Sequence, residues 1–315
     1  MRTLSNELER YLSVRRGLGY NLNTDERILR RFIEHMEQEG VPYISTECFL
    51  RWKESFGHAN TQTWSRRLGI VRIFAQWMHG IDPQHIVPPQ SLIPGHARRP
   101  PPHIYSEEEL RMIVETAAEL SSRNGIRPLT YSTLFGLIAV TGMRISEAVS
   151  LNIEDVDLEA GIVVVRKGKL GKERLLPVSV STTKQLTAYA AERDRLNGSL
   201  PAAFFISDHG ERLDDCAARY NFAIVCQRIG LRPAQKFFRH GQGPRIHDLR
   251  HTFAVRTMLN WYKDGKDPAR EMIKLVTYLG HETLAHTYWY IEAVPELLEL
   301  ASRRAEKSLA EEVKS

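Results

Sequence analysis

One proline-rich break limits what this chain can fold into. Pro83, Pro88, Pro89, Pro94 and Gly95 are followed by Arg98-Arg99-Pro100-Pro101-Pro102. Proline fixes φ and lacks a donor N–H, so neither a helix nor an inner strand continues through such a run, and no apolar period supports a core there. A stretch of this composition is a semi-rigid spacer. It divides the 315 residues into a domain over 1–93, a linker over 94–104, a second domain over 105–293 and a C-terminal helical tail over 294–315.

The two sides differ in pattern. Before the break only helical stripes recur: Leu4, Leu8, Tyr11 and Leu12; Ile28, Leu29, Phe32, Ile33 and Met36; Trp64, Leu68, Val71, Phe74, Ala75 and Met78. Asn23-Thr24-Asp25-Glu26 supplies a cap and first-turn acids to the second stripe, and Ser106-Glu107-Glu108-Glu109 is a capping box opening the next domain. Beyond the break the pattern is mixed. Leu129–Val149 is helical with an interruption near Gly142, while Ile153–Val156, Gly161–Val165 and Leu175–Val178 read as short strands, the last two joined by a basic hairpin over Gly168–Arg174. Helical patterns return at Leu186–Arg195, Cys216–Ile229, Asp248–Leu259, Met272–Leu279 and Glu296–Glu312. The expected fold is mainly α with a small antiparallel sheet, an α+β arrangement.

Composition then limits the function. With 42% hydrophobic and 26% charged residues the chain can bury real cores. It has no run of roughly 20 apolar residues to span a bilayer, and Met1–Glu7 is no signal peptide. Three scattered cysteines, Cys48, Cys216 and Cys226, make neither a disulfide framework nor a zinc cage, so a reducing cytoplasm is the expected location. The net charge is only +5, but the cations are overwhelmingly arginine. That bias reads either as rigid bidentate contact with phosphate oxygens or as GC-rich codon usage. Position favours phosphate. Seven Lys/Arg and one acid, Asp248, lie between Arg228 and Arg256, and a second basic knot runs from Arg166 to Arg174.

Common catalytic motifs fail. Gly171-Lys172 lacks the glycine and Ser/Thr of a phosphate loop. His281 and His286 are five apart, about 140° round a helix, and cannot share a metal as an i, i+4 pair does. No G-x-S-x-G or G-x-G-x-x-G occurs.

What survives is an ordered set: Thr141-Gly142-Met143-Arg144-Ile145-Ser146-Glu147, the lysine-rich hairpin, His247-Asp248-Leu249-Arg250-His251, Leu279-Gly280-His281, and Tyr290 nine residues later. In this order and spacing it resembles the tyrosine recombinase, or phage integrase, family over nearly the whole chain. The resemblance implies a helical N-terminal core-binding domain and a catalytic domain that cleaves and rejoins DNA through a covalent 3′-phosphotyrosine. It implies no metal, cofactor or ATP, with duplex DNA and a tetramer of this chain on DNA as partners, and no membrane.

Chemistry gives each residue a role. Arg144 and Arg250 would clamp the non-bridging oxygens, Tyr290 would attack phosphorus, and His247, on Arg250's helical face, would serve as acid/base partner. By resemblance Lys169 protonates the leaving 5′ oxygen, His281 donates to the phosphate, and Glu147 is the acidic companion that orients the site. The K-x-x-K-E-R pattern selects Lys169, whereas counting from Arg144 lands on Gly168; Tyr288 stays open as an alternative nucleophile. His251 reads as a packing or supporting histidine. Arg98, Arg99, Arg166, Lys167, Lys172, Arg174 and Arg245 are the expected DNA contacts. Rival readings are a type IB topoisomerase and a non-catalytic DNA-binding factor of the same fold. The tail stripe, Val294, Leu297, Leu298, Ala301, Ala305 and Leu309, would dock either on its own domain or on a neighbouring protomer.

Overall fold

Side-chain caps set the helices of the first unit. Thr3, Ser45 and Asn60 each accept a backbone N–H at the start of α1 (Leu4–Gly17), α3 (Thr46–Ser55) and α4 (Thr61–His79). The computed structural model describes residues 3–57, 59–94, 101–166, 173–196, 202–233, 243–280, 290 and 294–312. The chain divides into two compact units, Met1–Pro100 and Pro101–Ser315.

In the first unit α1, α2 (Asn23–Gln38), α3 and α4 bury the expected stripes around Phe32, Phe49, Trp52, Trp64 and Phe74. Two details differ from the sequence reading. The residue capping α2 is Leu22, which makes no side-chain cap; Asn23 is already helical, and its N–H bonds the side chain of Asn21. Helix α3 buries only Cys48, Phe49 and Trp52, too few positions to stand out as a stripe. Its clearest local signal is the Ser45 cap.

The second unit begins with the capping box of Ser106 and Glu109 on α5 (Glu107–Ala118). Helix α6 (Ile126–Thr141) is stopped by Gly142 in the left-handed region, and α7 (Ile145–Val149) follows at once. A three-stranded antiparallel sheet, β1 (Val156–Asp157), β2 (Ile162–Val165) and β3 (Arg174–Pro177), pairs Val163 with Leu176 and Val165 with Arg174. Residues 153–155, expected as strand, form a 3-10 turn because the Asp155 carboxylate accepts the Asn152 N–H, closing the chain before pairing begins. Helices α8 (Val180–Leu196), α9 (Asp215–Arg228), α10 (Ile246–Lys263) and α11 (Pro268–Leu279) complete the body, with α6 packed against α5, α8 and α10.

The tail is α12 (Pro295–Glu312). Val294 and Leu297 are buried with Ala254, Val255 and Met258 of α10, and Arg304 donates to the Lys266 carbonyl and pairs with Asp267. No helix among the described residues is long and apolar enough to cross a membrane.

Candidate active site

The site is assembled where three helices end or begin. Gly142 has φ +62, and an added Cβ would lie 2.5 Å from the Phe253 ring, so only glycine closes α6 against α10. The chain then extends through Arg144, and the Glu147 carboxylate accepts the Arg144 N–H at 2.8 Å to open α7. At the end of α11, Gly280 has φ +64, and a Cβ there would approach the Arg174 guanidinium to 3.2 Å.

Three guanidiniums converge on these corners. Arg250, 1% exposed, donates to the Gly142 carbonyl at 2.7 Å and to the Leu279 carbonyl at 2.6 Å, joining the C-terminal ends of α6 and α11. Arg144 donates to the next carbonyl, Gly280, at 3.0 Å and to Glu147 at 2.8 Å. Arg174 shares the face of Leu176 on β3, since alternate residues point the same way, and its guanidinium bonds both Glu147 oxygens at 3.1 and 2.6 Å. Helix C-terminal carbonyls carry partial negative charge and suit cations. Glu147 is the single carboxylate bonded to this group among the described residues, so the four side chains keep two positive charges uncompensated.

Burial shows in the ionisation of these groups. Arg250 is pushed down to about 10, first by burial and then by the Arg144 charge, while Glu147 and Tyr290 act the other way. Burial alone would raise the Glu147 carboxyl, but hydrogen bonds from Arg174 and from the Arg144 N–H outweigh it and hold it below its ordinary value. The cluster thus carries net positive charge at neutral pH.

Tyr290 is 2% exposed and packs with Leu279, Val294 and Leu297. Its hydroxyl lies 2.7 Å from Nδ1 of His251, which is equally buried. The half-buried His247 ring meets His251 edge-on at 4.6 Å. The sequence left His251 as either a packing or a supporting histidine; the fold brings it to the phenol, across a separation of 39 residues.

The structure therefore brings together Arg144, Glu147 and Arg250, and sets His247 beside the His251–Tyr290 pair. Arg174, expected on the DNA surface, is turned inward onto Glu147, with a side chain only 11% exposed. Arg166 pairs with the buried carboxylate of Asp155. Arg245 precedes α10, where the Asp248 carboxylate accepts its N–H at 2.8 Å and lies 3.3 Å from its guanidinium. Lys169, His281, Arg98, Arg99, Lys167, Lys172 and the alternative Tyr288 lie outside the described residues.

A second arginine cluster, in the first unit, was not singled out from sequence. Arg67 lies 4.2 Å from the Phe56 ring centre and 4.5 Å from that of Trp64, and Arg31 lies over Phe56 at 5.3 Å. Burial, and then Arg31 and Arg27, lower the Arg67 pKa. No carboxylate pairs with Arg27, Arg31 or Arg67 among the described residues, whereas Arg30 on the same helix is bonded to Glu9 and Glu26. The spacing Arg27–Arg31 and the aromatic Phe56 were the available signals.

The described site thus holds three arginines, one carboxylate and a buried tyrosine in a mainly helical body. The phage integrase family profile matches residues 104–296. A putative integrase/recombinase, y4rB, of Sinorhizobium fredii is 38% identical over 98% of this chain and 98% of its own. The tyrosine recombinase XerD of Mycobacterium tuberculosis is 29% identical over 92% of this chain and 94% of its own. Among solved structures, the site-specific recombinase XerH bound to its palindromic difH substrate shares the fold at TM-score 0.65, with 21% identity over 90% of this chain and 80% of that one. The chain belongs to the phage integrase family.

Proposed function

We propose that this chain is a site-specific DNA recombinase that cuts and rejoins strands through a phosphotyrosine at Tyr290. The observation that carries the reading is the clamp: Arg144 bonded to the Gly280 carbonyl and Arg250 to that of Leu279, with Tyr290 buried in the same cluster as Leu279. Cleavage forms a bond from the Tyr290 oxygen to phosphorus and breaks the bond to the 5′ oxygen. Because the new ester retains the energy of the old one, rejoining needs no ATP. Arg144 and Arg250 meet the charge that concentrates on the non-bridging oxygens, Arg174 and Glu147 hold Arg144 in place, and Lys169 protonates the leaving oxygen. His247 serves as an acid/base partner beside the reacting groups, and His281 donates to the phosphate. Arg27, Arg31 and Arg67, with the linker's Arg98 and Arg99, grip the duplex backbone. Four protomers on two duplexes would exchange strands in the cytoplasm.

The test is a nicked suicide substrate carrying the target site, in the presence of EDTA. The wild-type chain should form an SDS-resistant protein–DNA adduct and Tyr290→Phe none, with DNA binding retained. An adduct surviving in Tyr290→Phe removes the assignment.

A further inference from the structure

We infer that His251 takes the phenolic proton of Tyr290 as the tyrosine attacks phosphorus, and returns it when the strand is rejoined. The inference rests on Tyr290 being the nucleophile, as proposed above. Its own basis is the 2.7 Å separation of His251 Nδ1 from the Tyr290 hydroxyl inside a core that excludes water from both groups. A general base must lie within hydrogen-bond reach of the proton it removes, and at that distance Nδ1 does.

The surroundings suit an imidazole that gains charge. Asp248, one helical turn before His251, places a carboxylate oxygen 4.0 Å from Nε2. That carboxylate is held by the Arg245 N–H, so it cannot swing away. The step needs Nδ1 to accept, with the neutral ring's proton on Nε2, the nitrogen that faces Asp248. His247 contributes a ring edge on the same helix, and the Arg250 charge belongs to the neighbouring residue. Arg250 is thus aimed at the carbonyls of Gly142 and Leu279 while His251 is aimed at the phenol. One rigid helix, α10, carries both the phosphate clamp and the proton acceptor.

The balance is complete within the proposed reaction. The Tyr290 oxygen bonds to phosphorus, and the phenolic proton passes to Nδ1, leaving an imidazolium beside Asp248. The bond from phosphorus to the 5′ oxygen breaks with its electron pair, and that oxygen takes a proton from Lys169. In rejoining, the 5′ hydroxyl attacks, the bond to Tyr290 breaks, and the imidazolium gives its proton back to the phenolate. A phenol with an ordinary pKa near 10 is almost wholly protonated at neutral pH, so a positioned base matters.

The experiment measures single-turnover cleavage of the nicked suicide substrate by the full chain. His251→Asn puts an amide atom close to where Nδ1 stands, preserving a hydrogen bond without a usable base. Its cleavage rate should fall by about 10²-fold, the low end of general-base contributions, with DNA affinity unchanged. Replacing Tyr290 in that variant by 3,5-difluorotyrosine, whose phenol ionises more readily, should restore most of the rate. Wild-type or faster cleavage by His251→Asn overturns the inference, as does a defect that difluorotyrosine leaves untouched. A second measurement needs no change at His251. Fluorotyrosines of graded acidity at position 290 should leave the rate of the otherwise wild-type chain nearly flat, and a steep rise with acidity overturns the inference. A wild-type chain that forms no adduct at Tyr290 breaks the parent reading instead, which separates the two failures.

Discussion

Arg31 and Arg67 of the first unit lie over the rings of Phe56 and Trp64, while Arg144 and Arg250 of the second are held by main-chain carbonyls. The two clusters carry the same side chain under different physics. The first sits at least partly in water, is backed by aromatic faces and is unpaired by acids among the described residues. Such charges attract a polyanion from a distance and lose strength with salt. In the second cluster Arg250 is already desolvated and its donors already point in fixed directions. Charge placed that way does little for encounter; in the proposed reaction it stands ready as negative charge builds on phosphorus. The comparison teaches that one cluster should set affinity and the other should set rate.

Four changes to the chain test that division and the structure behind it. The largest effect should come from Arg250→Ala, lowering single-turnover cleavage by about 10³-fold while single-site binding changes little. Arg250→Lys should rescue poorly, because one ammonium cannot serve two carbonyls and a phosphate as a planar fork does. If binding and cleavage fall together, the clamp is a binding device like the first cluster.

Next is Glu147→Gln, which removes the carboxylate bonded to Arg144 and Arg174. Breaking a buried pair from one side should destabilise the second unit by roughly 3 kcal/mol in urea unfolding at neutral pH. The folded-state pKa of Glu147 is depressed, so its stabilisation is present above its ordinary value of 4.5 and is lost as pH falls through the lower folded value. The gap between wild type and variant should therefore narrow in acid; a gap independent of pH would show that ionisation of Glu147 is irrelevant.

Truncation after Glu292 comes third. With Val294 and Leu297 packed on α10, the shortened chain should melt several degrees lower. An unchanged melting point, with cooperative assembly on DNA lost, would place the tail's work between protomers.

The smallest effect belongs to Arg67→Ala, expected to weaken DNA binding several-fold and reduce the log–log salt slope by about 0.9. Its cleavage rate at saturating protein should match wild type. A rate defect at saturation would erase the distinction between the clusters.

Much of this was legible along the chain because the signals are local. A helix buries residues three and four apart, so the stripes of α1, α2 and α4 announce themselves, and Ser106 with Glu109 marks the start of α5. Arg144 and Glu147 are three residues apart at the start of α7, so their pairing needs only local geometry, and His247 and Arg250 stand three apart on α10. Proline spacing marked a linker over 94–104, and chain-order resemblance made Tyr290 the expected nucleophile. Tertiary structure alone decided the rest. Arg174 meets Glu147 only because β2 and β3 pair in a register that sets Arg174 on the face of Leu176, and a shift of one residue would turn it outward. Arg250 finds its two carbonyls only where α6 and α11 end side by side, 108 and 29 residues away along the chain. His251 differs from any packing histidine in nothing a local pattern can register. What gives it a partner is the return of the chain to α10 at Tyr290, and contacts between distant segments are encoded in how whole surfaces fit, not in the spacing of any one motif.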